Sequence, residues 1–194
     1  MRSEIKRFHQ DLSATIIYVT HDQLEAVTMA DKMAVMNGGP LQQYDSPRHV
    51  FDHPVNVFVA GFVGSPAMSL ISLEVASNGT DVSLHSPDGW TLALSPESAR
   101  KALSASSKRI VLGARHSTLR VHKSAVPGAV EGKVYTVEPT GDITFAQIYL
   151  GSAIVIVSVD PNFSIRPDEP VWVAFDQERM HLFDGETQQA LAAC

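Results

Sequence analysis

From Met68 onward the sequence is a series of short β-like runs separated by turn residues, and this pattern limits the fold more than any other feature. The turns Asn78-Gly79, Asp88-Gly89 and Gly151-Ser152 are of the kind that closes β-hairpins. Strands this short and this closely spaced predict a β-sandwich or a small barrel. The runs fall near residues 70–76, 80–86, 90–94, 109–115, 128–138, 142–150, 153–159, 170–175 and 180–183. Residues 95–107 are helical or linker-like and divide this region into two parts, between which we find no sequence repeat.

The first 63 residues follow an α/β pattern instead. The apolar, β-branched run at 14–19 is typical of a buried parallel strand, and Asp22 suits the start of the helix that follows it. Ser46 and Pro47 are a cap and a first helical residue. We predict helices at 3–12, 22–30, 47–51 and 56–62 and strands at 14–19 and 32–36. The change of pattern at Gly64-Ser65-Pro66 predicts a boundary between two domains, 1–63 and 64–194.

Composition excludes several classes of protein. The net charge of −6 and the lack of a basic run argue against nucleic-acid binding and against electrostatic attachment to anionic lipid. The single cysteine, Cys194, cannot form an internal disulfide, so a reducing cytosol is the easier compartment. We see no export signal, and the longest apolar runs, Val57–Val63 and Ala153–Val159, fall far short of the ~20 residues that span a bilayer. We therefore expect a soluble chain that reaches a membrane only through a protein partner.

His21 is the histidine whose position suggests a mechanism. It follows the predicted strand at 14–19 directly and precedes a helix, and open α/β sheets bind ligands at the carboxyl ends of their strands. The alternative is a strand-end histidine that only satisfies a backbone carbonyl.

The segment YVTHDQLEAVTMADKMAVMNGG resembles the switch-histidine region of ATP-binding-cassette (ABC) ATPases. Further along, QQYDSPRHVFDHPVNVFVAGFVGSPAMSLI resembles the segment that leaves the ATPase domain in importers of the maltose and glycerol-3-phosphate type. Three later stretches, LGARHSTLRV, VYTVEPTGDITFAQIYLG and VWVAFDQERMHLFDGETQQAL, resemble the transport-associated OB (TOBE) region. In the family a proline and a glutamate usually follow the arginine of LGAR, whereas here Arg115 is followed by His116 and Ser117.

The resemblance implies an α/β remnant of a P-loop ATPase domain followed by a mainly-β, OB-like (TOBE) regulatory domain. It also implies that His21 contacts the γ-phosphate of ATP and helps hold the attacking water. The sequence contains no GxxxxGK(S/T) phosphate loop, no LSGGQ-like signature and no acidic strand end for Mg²⁺. We therefore expect the C-terminal part of an ATPase without ATPase activity of its own, with ATP and Mg²⁺ bound in the intact parent protein and no cofactor in this chain alone.

The same resemblance implies the partners. Regulatory domains of this family pair as homodimers, and the ATPase subunits bind integral-membrane permease subunits on the cytoplasmic face of the cell membrane. The apolar run at 14–19 supports pairing, because an apolar strand with an open edge tends to pair with another chain. We expect either a dimer or a partly disordered N-terminus. The solute would be a sugar or a sugar-phosphate-like compound.

Two other classes of function are considered. The region 64–194 could be a stand-alone module for a small ligand or an oxyanion such as molybdate, although the acidic charge balance disfavours anions. An unrelated enzyme ranks last, because no complete catalytic set is visible.

Among single residues outside the switch region, Glu138 and Asp142 are candidates for regulatory or ligand contacts; Glu138 directly precedes the loop at 139–142, and Asp142 is its last residue. His49 and His53 have the spacing of two zinc ligands on a helix, but solvated surface is the favoured interpretation because no third ligand is evident. His181 is interpreted as structural.

Overall fold

The computed structural model describes residues 4, 6, 7, 9, 11, 15–79 and 81–191. The five described residues before position 15 are helical. The apolar stripe predicted for that helix (Ile5, Phe8 and Leu12) lies outside the described residues.

Residues 15–79 and 81–191 contain four α-helices and twelve strands, numbered here in chain order, and one 3₁₀ turn at His116–Thr118. The helices are α1 (Gln23–Met29), α2 (Pro47–Asp52), α3 (Val57–Phe62) and α4 (Pro96–Leu103). The strands are β1 (Met33–Met36), β2 (Leu41–Asp45), β3 (Ser69–Asn78), β4 (Asp81–His85), β5 (Thr91–Ala93), β6 (Arg109–Ala114), β7 (Leu119–His122), β8 (Val130–Pro139), β9 (Thr144–Leu150), β10 (Ala153–Val159), β11 (Pro170–Phe175) and β12 (His181–Asp184). The predicted β runs are confirmed, whereas β2 and β7 were not predicted.

The strands form one short hairpin, β1–β2, and two five-stranded antiparallel sheets. Sheet I has the order β12-β6-β3-β4-β5, and sheet II has the order β10-β9-β8-β11-β7. The three predicted turns close the hairpins β3–β4, β4–β5 and β9–β10, and their glycines (Gly79, Gly89 and Gly151) have positive φ. In sheet II, β10 also lies against β7, so the sheet curls back on itself.

Both sheets enclose a single hydrophobic core. Alternation explains which side chains enter it, since in β9 every second residue is buried from Thr144 to Leu150. Core residues with no more than 1% exposure come from both sheets: Leu84, Leu92, Ile110 and Leu112 from sheet I, and Val134, Ile148, Leu150, Val155 and Val157 from sheet II. The two parts of the β region therefore share one core rather than forming two independent barrels.

A smaller layer, formed by α1, the β1–β2 hairpin, α2 and α3, covers the outside of sheet I. It has its own apolar cluster, composed of Met33, Val35, Val50, Val59 and Val63. A second cluster of Ala60, Met68 and Phe183 joins α3 to sheet I. Within the part of the chain that the structure describes, no helix has the length and apolar character needed to cross a membrane.

The prediction of a buried strand at 14–19 is wrong over residues 15–19, and Ala14 lies outside the described residues. Residues 15–20 have no regular secondary structure, and Ile17 and Val19 are 90% and 91% exposed. A strand needs a neighbour to hydrogen-bond its backbone. Among residues 15–79 and 81–191, β1 pairs only with β2, and no strand lies beside this segment.

Candidate functional site

His21 projects from a short loop that is anchored on both sides. On the C-terminal side, Asp22 caps α1, and its Oδ1 accepts hydrogen bonds from the N–H groups of Leu24 (2.8 Å) and Glu25 (3.2 Å). On the other side, Thr20 Oγ1 accepts the N–H of Asp22 at 2.9 Å and donates to Glu25 Oε2 at 2.8 Å. The His21 side chain itself is exposed. The imidazole is therefore presented to solvent from a fixed backbone.

The helix that follows His21 is also tied to the junction between the small layer and sheet I. Gln23, the first residue of α1, accepts the N–H of Gly64 with its Oε1 at 3.0 Å. This contact joins residues 41 positions apart, and no spacing rule predicts it.

Arg115 is a buried side chain that connects sheet I to the small layer. Its side chain is 4% exposed, and it donates from Nη1 to Val63 O at 2.8 Å and from Nη2 to Phe51 O at 2.7 Å. The guanidinium carbon lies 3.6 Å from the centre of the Phe51 ring, a cation–π contact. Burial lowers the pKa of Arg115 to about 10, so the group remains charged at neutral pH.

His116 directly follows Arg115 and packs between the end of β6 and sheet II. Its ring meets Phe145 edge to face at 5.2 Å, and its carbonyl accepts the Ser158 hydroxyl at 3.2 Å. Burial lowers the pKa of His116, with the nearby Arg115 charge as the second cause. At this position the imidazole therefore packs against an aromatic ring and favours its neutral form.

The candidates Glu138 and Asp142 share one hairpin, at the turn between β8 and β9. Glu138 is exposed and accepts from Gln147 Nε2 at 3.1 Å, while Asp142 is exposed in a turn closed by Thr140 Oγ1, which donates to Ile143 O at 2.7 Å. No hydrogen bond or ion pair between described residues joins either side chain to His21. The structure thus brings these two carboxylates into one region and leaves His21 in another.

The remaining histidines of interest are His49, His53 and His181. The rings of His49 and His53 lie 4.7 Å apart on the exposed side of α2, and His49 Nε2 is 3.8 Å from Asp45 Oδ2. Among residues 15–79 and 81–191, no three side chains of His, Cys, Asp or Glu are grouped as metal ligands. His181 stacks on Phe183, and burial, with the Arg115 charge as a further cause, lowers its pKa to about 4.

An open cleft of about 640 Å³ on the β8–β9–β11 face lies apart from all of these candidates. Glu131, Lys133, Tyr149 and Asp168 line it, and Lys133 Nζ is 2.6 Å from Asp168 Oδ1. The two charges neutralise each other at this surface.

Comparison with known proteins gives a consistent result along the whole chain. Residues 112–183 match the family model described as the TOBE domain. The chain is 38% identical to an uncharacterized ABC transporter ATP-binding protein of Sinorhizobium fredii, over 99% of this chain and 49% of that protein. It is 36% identical to an sn-glycerol-3-phosphate import ATP-binding protein of Rhizobium johnstonii, over 96% of this chain and 49% of that protein. It is 34% identical to the oligosaccharides import ATP-binding protein MsmX of Bacillus subtilis, over 97% of this chain and 52% of that protein.

The chain spans about half the length of the curated relatives it matches. Among solved structures, it is similar to the cytoplasmic molybdate-binding protein ModG with a TM-score of 0.47 and 15% identity, over 58% of this chain and 93% of that one.

Proposed function

Because the chain belongs to the family of ABC transporter ATP-binding proteins, we propose that it is the regulatory and dimerisation part of an importer's ATP-binding subunit. The observation that carries this proposal is the extent of the similarity, which includes both the segment around His21 and the TOBE region. Relatives named for the import of sn-glycerol-3-phosphate and of oligosaccharides support a sugar or sugar-phosphate-like solute. A stand-alone oxyanion-binding module is not favoured, since the curated relatives above are ATP-binding proteins that match nearly the whole chain.

In this proposal residues 1–63 are a C-terminal portion of a P-loop nucleotide-binding domain, and residues 64–194 are the regulatory domain. One observation supports the division, and a second indicates that residues 1–63 pack against further protein. The small layer has its own apolar cluster, and the run Ile16–Val19 is exposed although it is apolar. Exposed contiguous apolar residues mark surfaces that pack against other protein. The remainder of a nucleotide-binding domain would cover this run.

His21 would then contact the γ-phosphate of ATP. An exposed imidazole on an anchored loop fits such a contact, because phosphoryl transfer depends mainly on positioned groups that stabilise charge. The described residues offer no grouped carboxylates to hold Mg²⁺, so they do not fit a metal site. Magnesium would be bound by residues of the nucleotide-binding domain outside this part of the family sequence.

The partners proposed are a second copy of the chain and the permease subunits of the importer. Closed twofold dimers are the commonest soluble oligomers. When this chain is studied by itself, without the rest of the nucleotide-binding domain, the exposed apolar run is also free to pair with a second copy. The chain would lie at the cytoplasmic face of the membrane through the permease.

A chimera tests the proposal. Residues 15–194 would replace the homologous half of MsmX, and magnesium-dependent ATP hydrolysis would be measured in the chimera and in its His21→Ala variant. We expect turnover that His21→Ala lowers by about a hundredfold or more, the size expected for losing a group that stabilises transition-state charge. His49→Ala is the control, because His49 is also an exposed histidine but lies within a short helix, α2, away from the loop at 20–22. Equal turnover in the His21→Ala and His49→Ala chimeras would rule out the role given to His21.

A further inference from the structure

The peptide group between Val63 and Gly64 is held from both sides. Its carbonyl oxygen accepts from Arg115 Nη1 at 2.8 Å, and its N–H donates to Gln23 Oε1 at 3.0 Å. A peptide group is planar and rigid, so its C=O and N–H move together. A hydrogen bond accepted at one end also strengthens the one donated at the other. Gln23 and Arg115 are therefore linked through a single rigid unit.

This link has little room for displacement. Gly64 has a φ of +123°, and a Cβ added there would lie 2.7 Å from Arg115 Nη1 and 3.2 Å from Phe51 Cε2. The other end of the guanidinium is fixed by Phe51, which offers both its carbonyl and its ring. The position of the 63–64 peptide is thus set by the arginine on one side and transmitted to the glutamine on the other.

The two ends of the link belong to different parts of the molecule. Arg115 directly follows β6, which pairs with both β3 and β12 in sheet I. Gln23 begins α1 directly after the cap residue Asp22, two positions beyond His21. The small layer also contacts sheet I through the apolar packing of α3 and contacts the residues after β12 through the hydrogen bond from Val57 N to Gln188 O, but neither contact involves the loop at 20–22.

We propose that Gln23 and Arg115 are positioning residues for His21, which connect sheet I to the loop that presents the imidazole. Displacement of β6 moves the 63–64 peptide and, through Gln23, the first turn of α1. The inference rests on the proposed function only for what His21 contacts. The connection itself is a property of this chain and can be measured without nucleotide.

The test is NMR spectroscopy and amide hydrogen exchange on the 194-residue chain. In Gln23→Leu we expect about a tenfold loss of protection at the Gly64 N–H, which loses its acceptor. In Arg115→Lys we expect a smaller loss, because the hydrogen bond weakened there is the one to the Val63 carbonyl of the same peptide group. Both variants should also shift the amide resonances of Leu24 and Glu25 and the ring resonances of His21. Gln23→Glu keeps the acceptor oxygen, so it should restore the Gly64 protection that Gln23→Leu loses.

Matched controls separate positioning from general loss of stability. Arg109→Lys removes an arginine contact at the opposite end of β6, and Gln147→Leu removes a comparable side-chain amide contact. Neither should shift the resonances of residues 21–25. The proposal is overturned if Arg115→Lys leaves those resonances unchanged, or if Gln23→Glu behaves like Gln23→Leu. If Arg115→Lys does not fold, the comparison of Gln23→Leu with Gln23→Glu tests the proposal.

The outcome is independent of the chimera experiment. A chimera insensitive to His21→Ala would remove the phosphate contact and leave the measured connection standing. Failure of the connection would leave the role of His21 untouched.

Discussion

Asp184 is a buried carboxylate whose charge is stabilised by backbone N–H groups. Its side-chain oxygens accept from Thr187 N at 2.9 Å, Ser106 N at 2.6 Å and Glu186 N at 2.8 Å, and the residue is 3% exposed. These hydrogen bonds, with that of Thr187 the largest cause, hold the pKa of Asp184 far below its usual range. The carboxylate thereby fixes the chain after β12 to the loop before β6.

The lowered pKa of Asp184 predicts that the folded state loses stability as the pH falls below about 4. A carboxyl group with a lower pKa in the folded than in the unfolded state stabilises the fold above its unfolded pKa, about 4. That contribution is lost as the pH falls from there toward the folded pKa. Asp184→Asn should lower the melting temperature at pH 7 and flatten its decline below pH 4, as measured by circular dichroism. Asp142→Asn, in an exposed turn, should do neither. If the melting temperature of Asp184→Asn declined below pH 4 as steeply as that of the unchanged protein, the role given to Asp184 would be contradicted.

His181 predicts a second pH effect, at higher pH. Burial lowers the pKa of His181 to about 4, so the unfolded state takes up a proton first as the pH falls below about 6.5. The stability that the neutral imidazole provides is complete above pH 6.5 and is lost between 6.5 and 4. We expect about 1–2 kcal/mol less free energy of unfolding at pH 5 than at pH 7.5 from this residue.

Urea unfolding at the two pH values measures this effect. His181→Leu should reduce the difference between pH 7.5 and pH 5, whereas the exposed His85→Leu should preserve it. A difference of the same size in both variants would assign the effect to other groups.

The candidate site shows how far sequence could lead at this scale. His21 stood out because it follows an apolar run and precedes a capped helix, and the cap at Asp22 is present as predicted. The role of Arg115 could not be predicted, because its two carbonyl acceptors lie 52 and 64 residues away. Only the folded chain shows that this arginine is buried, and that it ties two layers together.

At the scale of elements, the hairpin turn of β9–β10 in sheet II is fastened to the β4–β5 turn in sheet I. Asp88 Oδ2 accepts from both the N–H and the hydroxyl of Ser152 at 2.8 Å, and Trp90 Nε1 donates to Leu150 O at 3.1 Å. Gly151 makes this approach possible, since a Cβ there would overlap the Asp88 side chain.

Gly151→Ala should therefore cost more stability than a turn glycine normally does. Gly128 is the matched control, because it also has a positive φ (77°, against 63° at Gly151) but faces open space. Gly128→Ala should cost about 1 kcal/mol through backbone strain alone. Gly151→Ala should cost at least about 1 kcal/mol more, since the Asp88 side chain must also move. Equal melting temperatures for the two variants would show that the turn-to-turn contact contributes nothing.

Most elements were predictable from turn residues and alternation, and the exceptions have physical causes. β2 contains two adjacent glutamines, and one of them, Gln43, is buried because it bonds the backbone of His53 and Val55. The run at 15–19 is apolar enough for a buried strand, but an apolar run does not specify whether its neighbours lie in the same chain. The single core shared by the two sheets could not be predicted from the sequence either, because no sequence repeat relates the two parts of the β region.

At the scale of the whole molecule, the proposed homodimer gives a direct prediction. Sedimentation of the chain at micromolar concentration should give twice the monomer mass of 21.0 kDa and should shift toward the monomer on dilution. Ile17→Lys with Val19→Lys tests whether the exposed run takes part, because it places two charges on that surface. A monomer at every concentration would contradict the dimer, and a dimer unaffected by these charges would assign the interface elsewhere.

The strand order of sheet I has a consequence for folding during synthesis on the ribosome. β12 and the residues after it complete the edge of that sheet, and they also secure the start of α3, since Gln188 O accepts from Val57 N at 3.0 Å and Ala190 N donates to Val55 O at 2.9 Å. Because synthesis runs from N to C, the start of α3 therefore stays unsecured in the small layer until residues 188–190 have been made. Each molecule passes through this stage of translation, and a nascent chain halted shortly before residue 181 would offer β6 as a free edge to its neighbours.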